Sequence, residues 1–392
     1  MKKYSLAVKF IAVLLVTLFA LGGVANAEKI VLNVSGDTNV DLGLTCKSAV
    51  LMEASSGEIL YSHNMDEALP PASVTKVMTL LLVMEAIDSG RISYSDTVTA
   101  SANAASMGGS QIFLKEGETM SVEDLLKSVV IASANDAAVA LAEHIAGSES
   151  AFVAKMNARA AELQMRSTHF ENTNGLDDTV TNHVTSARDI AIMSRELIKH
   201  RKILDYSSIW MDTIRNGSFG LTNTNRLVRF YNGATGLKTG STSKAKFCVS
   251  ATACRDGMDL ICVIMGAESR DIRNEEAKKL LDWGYANYEL FKCDGERVEQ
   301  IKTVGGREPY AVAEYSGFSA VVKKGESGRV KKSVELPAEL CAPIKKGDVI
   351  GKVVFNADGK KLGEVEIVSD SDIGKMNFGD LLARIFAIFF MK

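Results

Sequence analysis

Three short motifs follow one another along the chain and together carry the groups needed for acyl transfer through a serine ester. The first pairs a serine with a lysine three residues on, the second adds a hydroxyl and an amide, and the third adds a cation beside a hydroxyl. A serine hydroxyl is a weak nucleophile until a neighbouring base takes its proton, so the serine–lysine pair is the informative feature. The motifs are Ser73-Val74-Thr75-Lys76, Ser133-Ala134-Asn135 and Lys238-Thr239-Gly240.

Geometry separates the candidate serine–lysine pairs. Ser73 and Lys76 open a predicted helix that follows two prolines and runs to Ile87, and residues three apart on a helix share a face. The same spacing recurs at Ser241–Lys244 and Ser243–Lys246, but there we predict a strand. An odd separation on a strand sends side chains to opposite faces. The spacing therefore favours Ser73 as the nucleophile.

The Ser-x-Asn pattern also recurs, at Ser101-Ala102-Asn103. Ser133 lies between two predicted helices, where a tight loop can present it and Asn135 to a cleft. Ser101 lies in a polar stretch that fits a surface loop, and a serine before a helix is most often a helix cap. We favour Ser133, because the order of the three motifs then holds.

The N-terminal 27 residues have the three parts of a secretory signal peptide. Two lysines follow Met1, an apolar run extends from Phe10 to Leu21, and Ala25-Asn26-Ala27 resembles a cleavage site. The apolar run is short for a transmembrane helix, which needs about 20 residues. We expect cleavage after Ala27 and export to the extracytoplasmic side of the membrane.

Composition excludes several classes of function. Lys+Arg number 45 against Asp+Glu 48, for a net charge of −3, and no basic stripe favours nucleic acid as a partner. The six cysteines form no C-x-x-C pair, so buried free thiols are the favoured interpretation. The five histidines have no ligand-like spacing, which argues against a zinc peptidase. We predict neither a metal nor a cofactor.

The hydrophobic pattern changes near Arg297 and predicts two folded parts. Residues 28–296 combine helices and strands, whereas residues 297–370 hold short β-like runs and a hairpin turning at Asp358-Gly359. In the first part we predict a hairpin over 49–61, helices over 74–87, 122–131, 152–163, 186–200 and 274–290, and strands over 246–253 and 259–265. In the second part we predict strands over 310–315, 319–323 and 349–355.

Residues 371–392 are predicted to be a linker and an amphipathic helix. The 15 residues from Phe378 to Lys392 would form a helix of about 22 Å, shorter than a hydrocarbon core of about 30 Å. Asp380 and Arg384 share one face, and apolar residues cover most of the remainder. We expect the helix to bind the membrane surface without spanning the bilayer. Packing of the helix on the β domain is the alternative.

The motifs and their surroundings resemble low-molecular-mass penicillin-binding proteins, the serine-type D-alanyl-D-alanine carboxypeptidases, in the branch with a C-terminal β domain and a membrane-binding tail. The resemblance covers essentially the whole mature chain. It implies a penicillin-binding-protein/β-lactamase-like α/β (α+β) transpeptidase fold, with an antiparallel sheet flanked by helices, plus a small C-terminal all-β domain. The supporting stretches are Pro70–Thr79, Ser133–Ala138, Gly233–Gly240, and Asn174-Gly175-Leu176 with His183 and Ser186–Asp189.

The resemblance also implies a substrate and a set of roles. The substrate would be a peptidoglycan pentapeptide ending in D-Ala-D-Ala, and penicillins would inhibit by acylating the serine. Some members carry histidine in place of Asn174 and Ser241, which leaves substrate preference open. The implied catalytic residues are Ser73 as nucleophile, Lys76 as proton acceptor and Ser133 as proton relay. The implied substrate-binding residues are Asn135 for the substrate amide, Lys238 and Thr239 for the terminal carboxylate, Gly240 for close approach of the substrate backbone and Ser241 for the oxyanion hole.

Other functions stay open. A class A β-lactamase needs a glutamate to activate the deacylating water, and residues 166–185 offer only Glu171, outside the expected Glu-x-x-x-Asn pattern. An endopeptidase that cleaves cross-links would use the same chemistry. A non-catalytic peptidoglycan-binding protein is the alternative from another class, and the intact Ser73, Lys76, Ser133 and Lys238 argue against it.

Overall fold

The computed structural model describes residues 40–390 of the 392-residue chain. The signal peptide predicted over residues 1–27 lies outside the described residues.

Helices and strands alternate up to Asn287, and strands predominate from there to the final helix. In chain order the strands are β1 Ser48–Glu53, β2 Ile59–His63, β3 Thr97–Thr99, β4 Thr119–Ser121, β5 Met211–Ile214, β6 Phe219–Thr222, β7 Ala234–Thr242, β8 Lys246–Arg255, β9 Met258–Ala267, β10 Tyr288–Cys293, β11 Arg297–Val304, β12 Tyr310–Tyr315, β13 Phe318–Lys323, β14 Lys331–Glu335, β15 Glu339–Cys341, β16 Val349–Ala357 and β17 Lys360–Ser369. The α-helices are α1 Lys76–Asp88, α2 Ala102–Ala105, α3 Val122–Ile131, α4 Asn135–Ala146, α5 Glu149–Glu162, α6 Ala187–Lys199, α7 Lys202–Ser207, α8 Leu227–Phe230, α9 Arg270–Asn287 and α10 Phe378–Phe390.

A five-stranded antiparallel sheet forms the centre of the first part, in the order β2-β1-β9-β8-β7. Side chains of a strand alternate between the two faces. On β8, Val249 and Ala251 join the apolar cluster that includes Leu280 of α9. Ser250, between them, faces the other side, where its hydroxyl lies 2.7 Å from that of Ser194 on α6. Helices therefore cover both faces of this sheet.

Helix α1 lies in the interior. Its sequence is apolar around most of its circumference, and almost all of its residues are buried, from Lys76 to Ala86. A helix that is hydrophobic all round is stable only when other elements surround it. A short 3₁₀ turn, Ala72–Thr75, leads directly into α1 and carries Ser73. The candidate nucleophile is thus fixed to one of the most buried elements of the protein.

A second sheet forms the C-terminal part, in the order β14-β16-β17-β12-β11-β15, with β10 and β13 paired beside it. Its core contains Val353 and Ile367, together with Phe355, which stacks on Phe318 at 4.2 Å between ring centroids. Strand β10 begins immediately after α9 ends. The last helix of the first part therefore runs directly into a strand that pairs with β13 of the C-terminal part.

Most predicted elements occur within about three residues of their expected bounds, and the end of one helix was wrong because a strand begins there. The helix expected over 274–290 is α9, which begins at Arg270 behind a Ser269 cap and ends at Asn287. The next six residues, Tyr288–Cys293, pair with Phe318–Lys323. The apolar residues of this segment are compatible with a helix or a strand. Pairing with β13, about 30 residues later, favours the strand.

Helix α10 exposes most of its apolar side chains. Phe378 and Phe389 are each 75 % exposed, and Leu381 and Ile385 are also exposed. Asp380 and Asn377 cap the helix reciprocally, and Asp380 also forms an ion pair with Arg307 of the β domain at 3.0 Å. Within residues 40–390, no helix is long and apolar enough to cross a bilayer.

Candidate active site

The backbone around Ser73 is tightly constrained. Ala72, just before it, has φ = +48°, which is uncommon for a residue with a side chain. The hydroxyl of Thr75 donates to the Ala72 carbonyl at 2.8 Å. Strand β7 lies against this turn, and a Cβ added to Gly240 would lie only 2.8 Å from the backbone nitrogen of Ser73. Glycine at this position lets strand β7 pack directly against the turn of the nucleophile. This close approach gives Gly240 a structural role in addition to the expected contact with a substrate backbone.

Lys76 is fully buried and lies beside Ser73. Its Nζ is 2.9 Å from Ser73 Oγ, 2.6 Å from Asn135 Oδ1 and 2.7 Å from the Asn174 carbonyl. Burial, reinforced by the positive charge of Lys238, lowers the pKa of Lys76 well below its usual value. A neutral amine has two hydrogens and one lone pair. The two carbonyl oxygens can accept the hydrogens, so the lone pair is free to face the Ser73 hydroxyl.

Ser133 and Asn135 lie where α3 ends and α4 begins. Ser133 has φ = +63° and is buried, so the tight turn aims its side chain into the cleft. The Asn135 side chain donates to the Gly108 carbonyl at 2.7 Å and accepts from Lys76, and its backbone N–H donates to Ser110. Both residues of the second motif therefore lie beside those of the first.

Lys238 completes a second buried hydrogen-bonded group. Its Nζ donates to Ser133 Oγ at 2.8 Å and to the Thr239 carbonyl at 2.9 Å. Burial, with a smaller contribution from Arg273, lowers the pKa of Lys238 to about 7. The Thr239 hydroxyl donates to Thr224 Oγ1 at 2.8 Å. The three motifs therefore meet, and the two lysines lie close enough to repel each other.

A cleft of about 690 Å³ opens over these residues. Ser73, Ser133, Thr239, Gly240 and the exposed Ser241 line it, so the cleft reaches all three motifs.

One end of the cleft is strongly basic, and the sequence patterns did not indicate this. Arg226, Arg270 and Arg273 line it, together with Trp210 and Phe230. Among the described residues, these three arginines form no ion pair with a carboxylate. Arg273 is buried, and burial with the nearby Arg270 lowers its pKa to about 10. It remains cationic at neutral pH and points to an anion-binding end.

A loop over residues 171–185 borders the other side. It contributes the Asn174 carbonyl to Lys76, and its Asp177 carboxylate accepts from Thr242 Oγ1 at 2.5 Å, just beyond the third motif. The carboxylate of Glu171 accepts from the backbone N–H groups of Thr181 and Asn182 of the same loop, both at 2.9 Å. Glu171 thus closes the loop and does not reach toward Ser73.

The competing motif matches form no second serine–lysine pair in the cleft, although Ser241 itself lines it. The Ser101 side chain accepts from the N–H of Ala104 and caps α2, which is the capping role described above for such serines. Ser243 and Lys244 lie in the turn between β7 and β8, and Lys244 donates to the Asp177 carbonyl. Ser133 lines the cleft, whereas Ser101 does not.

Comparison with known proteins gives the same picture. Residues 36–269 match the family profile described as D-alanyl-D-alanine carboxypeptidase, and residues 287–375 match the C-terminal domain of penicillin-binding protein 5. A curated relative, the D-alanyl-D-alanine carboxypeptidase DacF of Bacillus subtilis (strain 168), is 43 % identical over 357 residues, covering 89 % of this chain and 91 % of the relative.

Two solved structures show similar folds. Penicillin-binding protein 5 from Haemophilus influenzae superposes with a TM-score of 0.76 at 34 % identity, covering 86 % of this chain and 99 % of that one. Penicillin-binding protein D2 from Listeria monocytogenes, in its ampicillin-bound form, has a TM-score of 0.58 at 31 % identity, covering 63 % and 100 %.

The fold and the cleft together define a class, that of penicillin-binding proteins with a C-terminal all-β domain, and they confirm the predicted fold. Within that class, the chain belongs to the D-alanyl-D-alanine carboxypeptidase family of serine peptidases.

Proposed function

We propose that the protein hydrolyses the terminal D-alanine from peptidoglycan stem peptides that end in D-Ala-D-Ala. The observation that carries the proposal is the buried Lys76 amine, 2.9 Å from Ser73 Oγ and held by two carbonyl oxygens. The lowered pKa of Lys76 favours its neutral amine, the form that can act as a base. Such trimming removes the donors of cell-wall cross-links.

The chemistry proceeds through an ester on Ser73. Lys76 accepts the proton of the Ser73 hydroxyl as its oxygen attacks the carbonyl carbon of the penultimate D-alanine. The N–H groups of Ser73 and Ser241 stabilise the oxyanion. Ser133, which accepts a hydrogen bond from Lys238, relays the proton taken up by Lys76 to the leaving amine, so that Lys76 is neutral again when water attacks the ester. Water then attacks the ester and releases the shortened peptide.

The basic end of the cleft fits the carboxylate of the leaving D-alanine. Lys238 and Thr239 lie beside it, and the buried Arg273 adds a charge that no described carboxylate neutralises at ion-pair distance. A substrate that ends in a free carboxylate supplies the missing negative charge. This favours a carboxypeptidase over an endopeptidase.

Penicillins should acylate the same serine. The relative from Listeria monocytogenes was solved with ampicillin bound, and its fold covers 63 % of this chain. Rapid release of the penicilloyl group would require a further base that activates the attacking water, as the glutamate of class A β-lactamases does. Glu171, the only glutamate of the loop, is instead bonded to backbone N–H groups. We therefore expect a long-lived penicilloyl ester and not β-lactamase activity.

We further propose export and surface anchoring. The signal-peptide pattern of residues 1–27 supports export, and peptidoglycan lies outside the cytoplasm. The exposed apolar side chains of α10, a helix of about 20 Å, support an interfacial anchor. Folded parts would be residues 28–296 and 297–370, followed by the linker and anchor of residues 371–392.

The test measures D-alanine release from a pentapeptide ending in D-Ala-D-Ala, with and without penicillin. We expect turnover that penicillin abolishes, and labelling of wild type but not of folded Ser73→Ala by fluorescent penicillin. Labelling of folded Ser73→Ala would refute the nucleophile. Fast turnover of penicillin without D-alanine release would make the protein a β-lactamase.

A further inference from the structure

His183 lies beside the turn of the nucleophile, and neither the motifs nor the proposed chemistry uses it. Its ring is 6 % exposed and packs edge-on against Phe170, with the ring centroids 5.7 Å apart. Nδ1 is 3.0 Å from the backbone nitrogen of Glu171, and Nε2 is 2.7 Å from Thr75 Oγ1. A buried histidine with a partner on each ring nitrogen is held in one orientation.

The partners of His183 define its tautomer. The backbone N–H of Glu171 can only donate, so Nδ1 accepts and carries no hydrogen. The single hydrogen of the neutral ring is then on Nε2 and donates to Thr75 Oγ1. Burial lowers the pKa of His183 to about 4, which agrees with a neutral ring. Thr75 in turn donates to the Ala72 carbonyl, so the hydrogen bonds run in one direction toward Ala72.

The Ala72 carbonyl belongs to the same peptide group as the N–H of Ser73. This peptide bond is trans, so its C=O and N–H lie in one plane and point in opposite directions. Fixing the carbonyl therefore fixes the direction of the Ser73 N–H. Gly175 packs so closely that a Cβ there would overlap the Ala72 carbonyl. The hydrogen bond from Thr75 also polarises the peptide group and strengthens its N–H as a donor.

We propose that His183 is a positioning residue for the oxyanion hole, which acts through Thr75 and the Ala72 carbonyl to aim the N–H of Ser73. The inference rests on the proposed serine chemistry. Acylation and deacylation each pass through an oxyanion at this N–H, so a misdirected donor slows both steps. Binding of the substrate carboxylate occurs at the basic end of the cleft and is not affected.

Two substitutions separate the two hydrogen bonds of the ring. In His183→Asn the amide can reach the place of Nδ1 and accept from Glu171, but it is too short to reach Thr75. In His183→Gln the longer amide can donate to Thr75. Removing an oxyanion donor costs roughly 10²–10³ in rate, so we expect at least about tenfold slower acylation and deacylation in His183→Asn and about threefold or less in His183→Gln.

Stopped-flow and burst measurements with a fluorescent penicillin and a D-Ala-D-Ala depsipeptide give the rate constants, the burst amplitude and the dissociation constant of the non-covalent complex. We expect the rate constants of His183→Asn to fall while its burst amplitude and dissociation constant stay at the wild-type values. His169→Gln is the matched control, because this exposed histidine of the neighbouring bridge hydrogen-bonds through its ring to the Asn182 carbonyl and not to Thr75. It should react at the wild-type rates.

Wild-type rate constants in His183→Asn would overturn the proposal. A reduced burst amplitude with unchanged rate constants would also overturn it, because the burst amplitude measures only the fraction of folded, active enzyme. Equal slowing of the folded Asn and Gln variants would also overturn it. If His183→Asn does not fold, Thr75→Val removes the receiving hydroxyl at constant shape and must show the same slowing. Absence of wild-type labelling at Ser73 would instead refute the proposed function, and the inference with it.

Discussion

The cleft and the C-terminal helix both depart from the usual burial of side chains. The cleft buries charged groups, whereas the helix exposes apolar ones. In the cleft, Lys76 and Lys238 are buried, although lysine is almost never fully buried unless it is paired. On α10, Phe378 and Phe389 are largely exposed, although phenylalanine is usually inside. Regions that contradict the local rules of folding are where function is expected.

The two departures depend differently on the rest of the protein. Each buried lysine is held by groups from several elements, as Lys76 is by Asn135 of α4 and by the loop carbonyl of Asn174. The exposed apolar side chains of α10 are held by no comparable set of polar groups, and its first turn is tied to the β domain by the ion pair between Asp380 and Arg307. Changes in the cleft should therefore alter chemistry, whereas changes in α10 should alter location alone.

The largest effect should come from Lys76→Ala. Removing the base that takes the serine proton should lower acylation by about 10³-fold, within the usual 10²–10⁴ range for general acid–base catalysis. Penicillin acylation rates measure this, and circular dichroism checks the fold. Lys155→Ala, an exposed lysine of α5, is the control and should react normally. Acylation within tenfold of wild type would mean that another group takes the proton.

Gly240→Ala should come next. The added Cβ would lie 2.8–2.9 Å from three backbone atoms of the turn that carries Ser73, so this turn must move. We expect activity to fall about 100-fold, because small misplacements of a reacting group have effects of this size, and stability to fall by about 1–3 kcal/mol. Gly220→Ala on β6 is the control, since nothing lies within 4 Å of its added Cβ. Equal effects of the two changes would contradict the close packing.

A smaller effect is expected on substrate binding as pH changes. With its pKa of about 7, Lys238 loses its charge in the empty cleft as pH rises, so carboxylate binding above pH 7 must take up a proton. KM for a free-acid peptide should then rise, by up to about tenfold per pH unit. An amidated peptide should bind worse at pH 6 and lack this rise. If the amidated peptide is cleaved equally well, the protein is better described as an endopeptidase.

The smallest effect on catalysis should come from changes in α10. Deleting residues 376–392 should leave kcat and penicillin binding within about twofold of wild type and move the enzyme from membrane to soluble fractions, because the exposed apolar face is gone. The pair Ile385→Asp and Phe389→Asp keeps the helix length and should act in the same way. An unfolded truncated protein, or one that stays with membranes, would show that α10 is core or that the anchor lies elsewhere.

The sequence predicted the cleft better than its surroundings. The positions of Ser73 and Lys76 follow from helix periodicity, which is local. Arg273 carries no such signal, because its place depends on where α9 begins and on how that helix packs beside β8. His183 was left unassigned for the same reason, since its two partners are 12 and 108 residues away.

Errors in the predicted elements have the same origin. Helix α3 was predicted at its observed bounds, Val122–Ile131, where an amphipathic pattern and a serine cap coincide. The first three residues of β10, up to Leu290, were assigned to the preceding helix, because only the partner strand β13 distinguishes the two structures. Gly240 was expected to make room for a substrate, and its contact with the turn at Ser73 required the packed structure.

Because α1 is buried, the enzyme should lose its activity by global unfolding and not by local opening. Local opening reactions that expose a loop to solvent or protease do not reach a helix surrounded by other elements. Backbone amides of α1 should exchange with deuterium only when the whole catalytic part unfolds. Heat inactivation and global melting should therefore coincide.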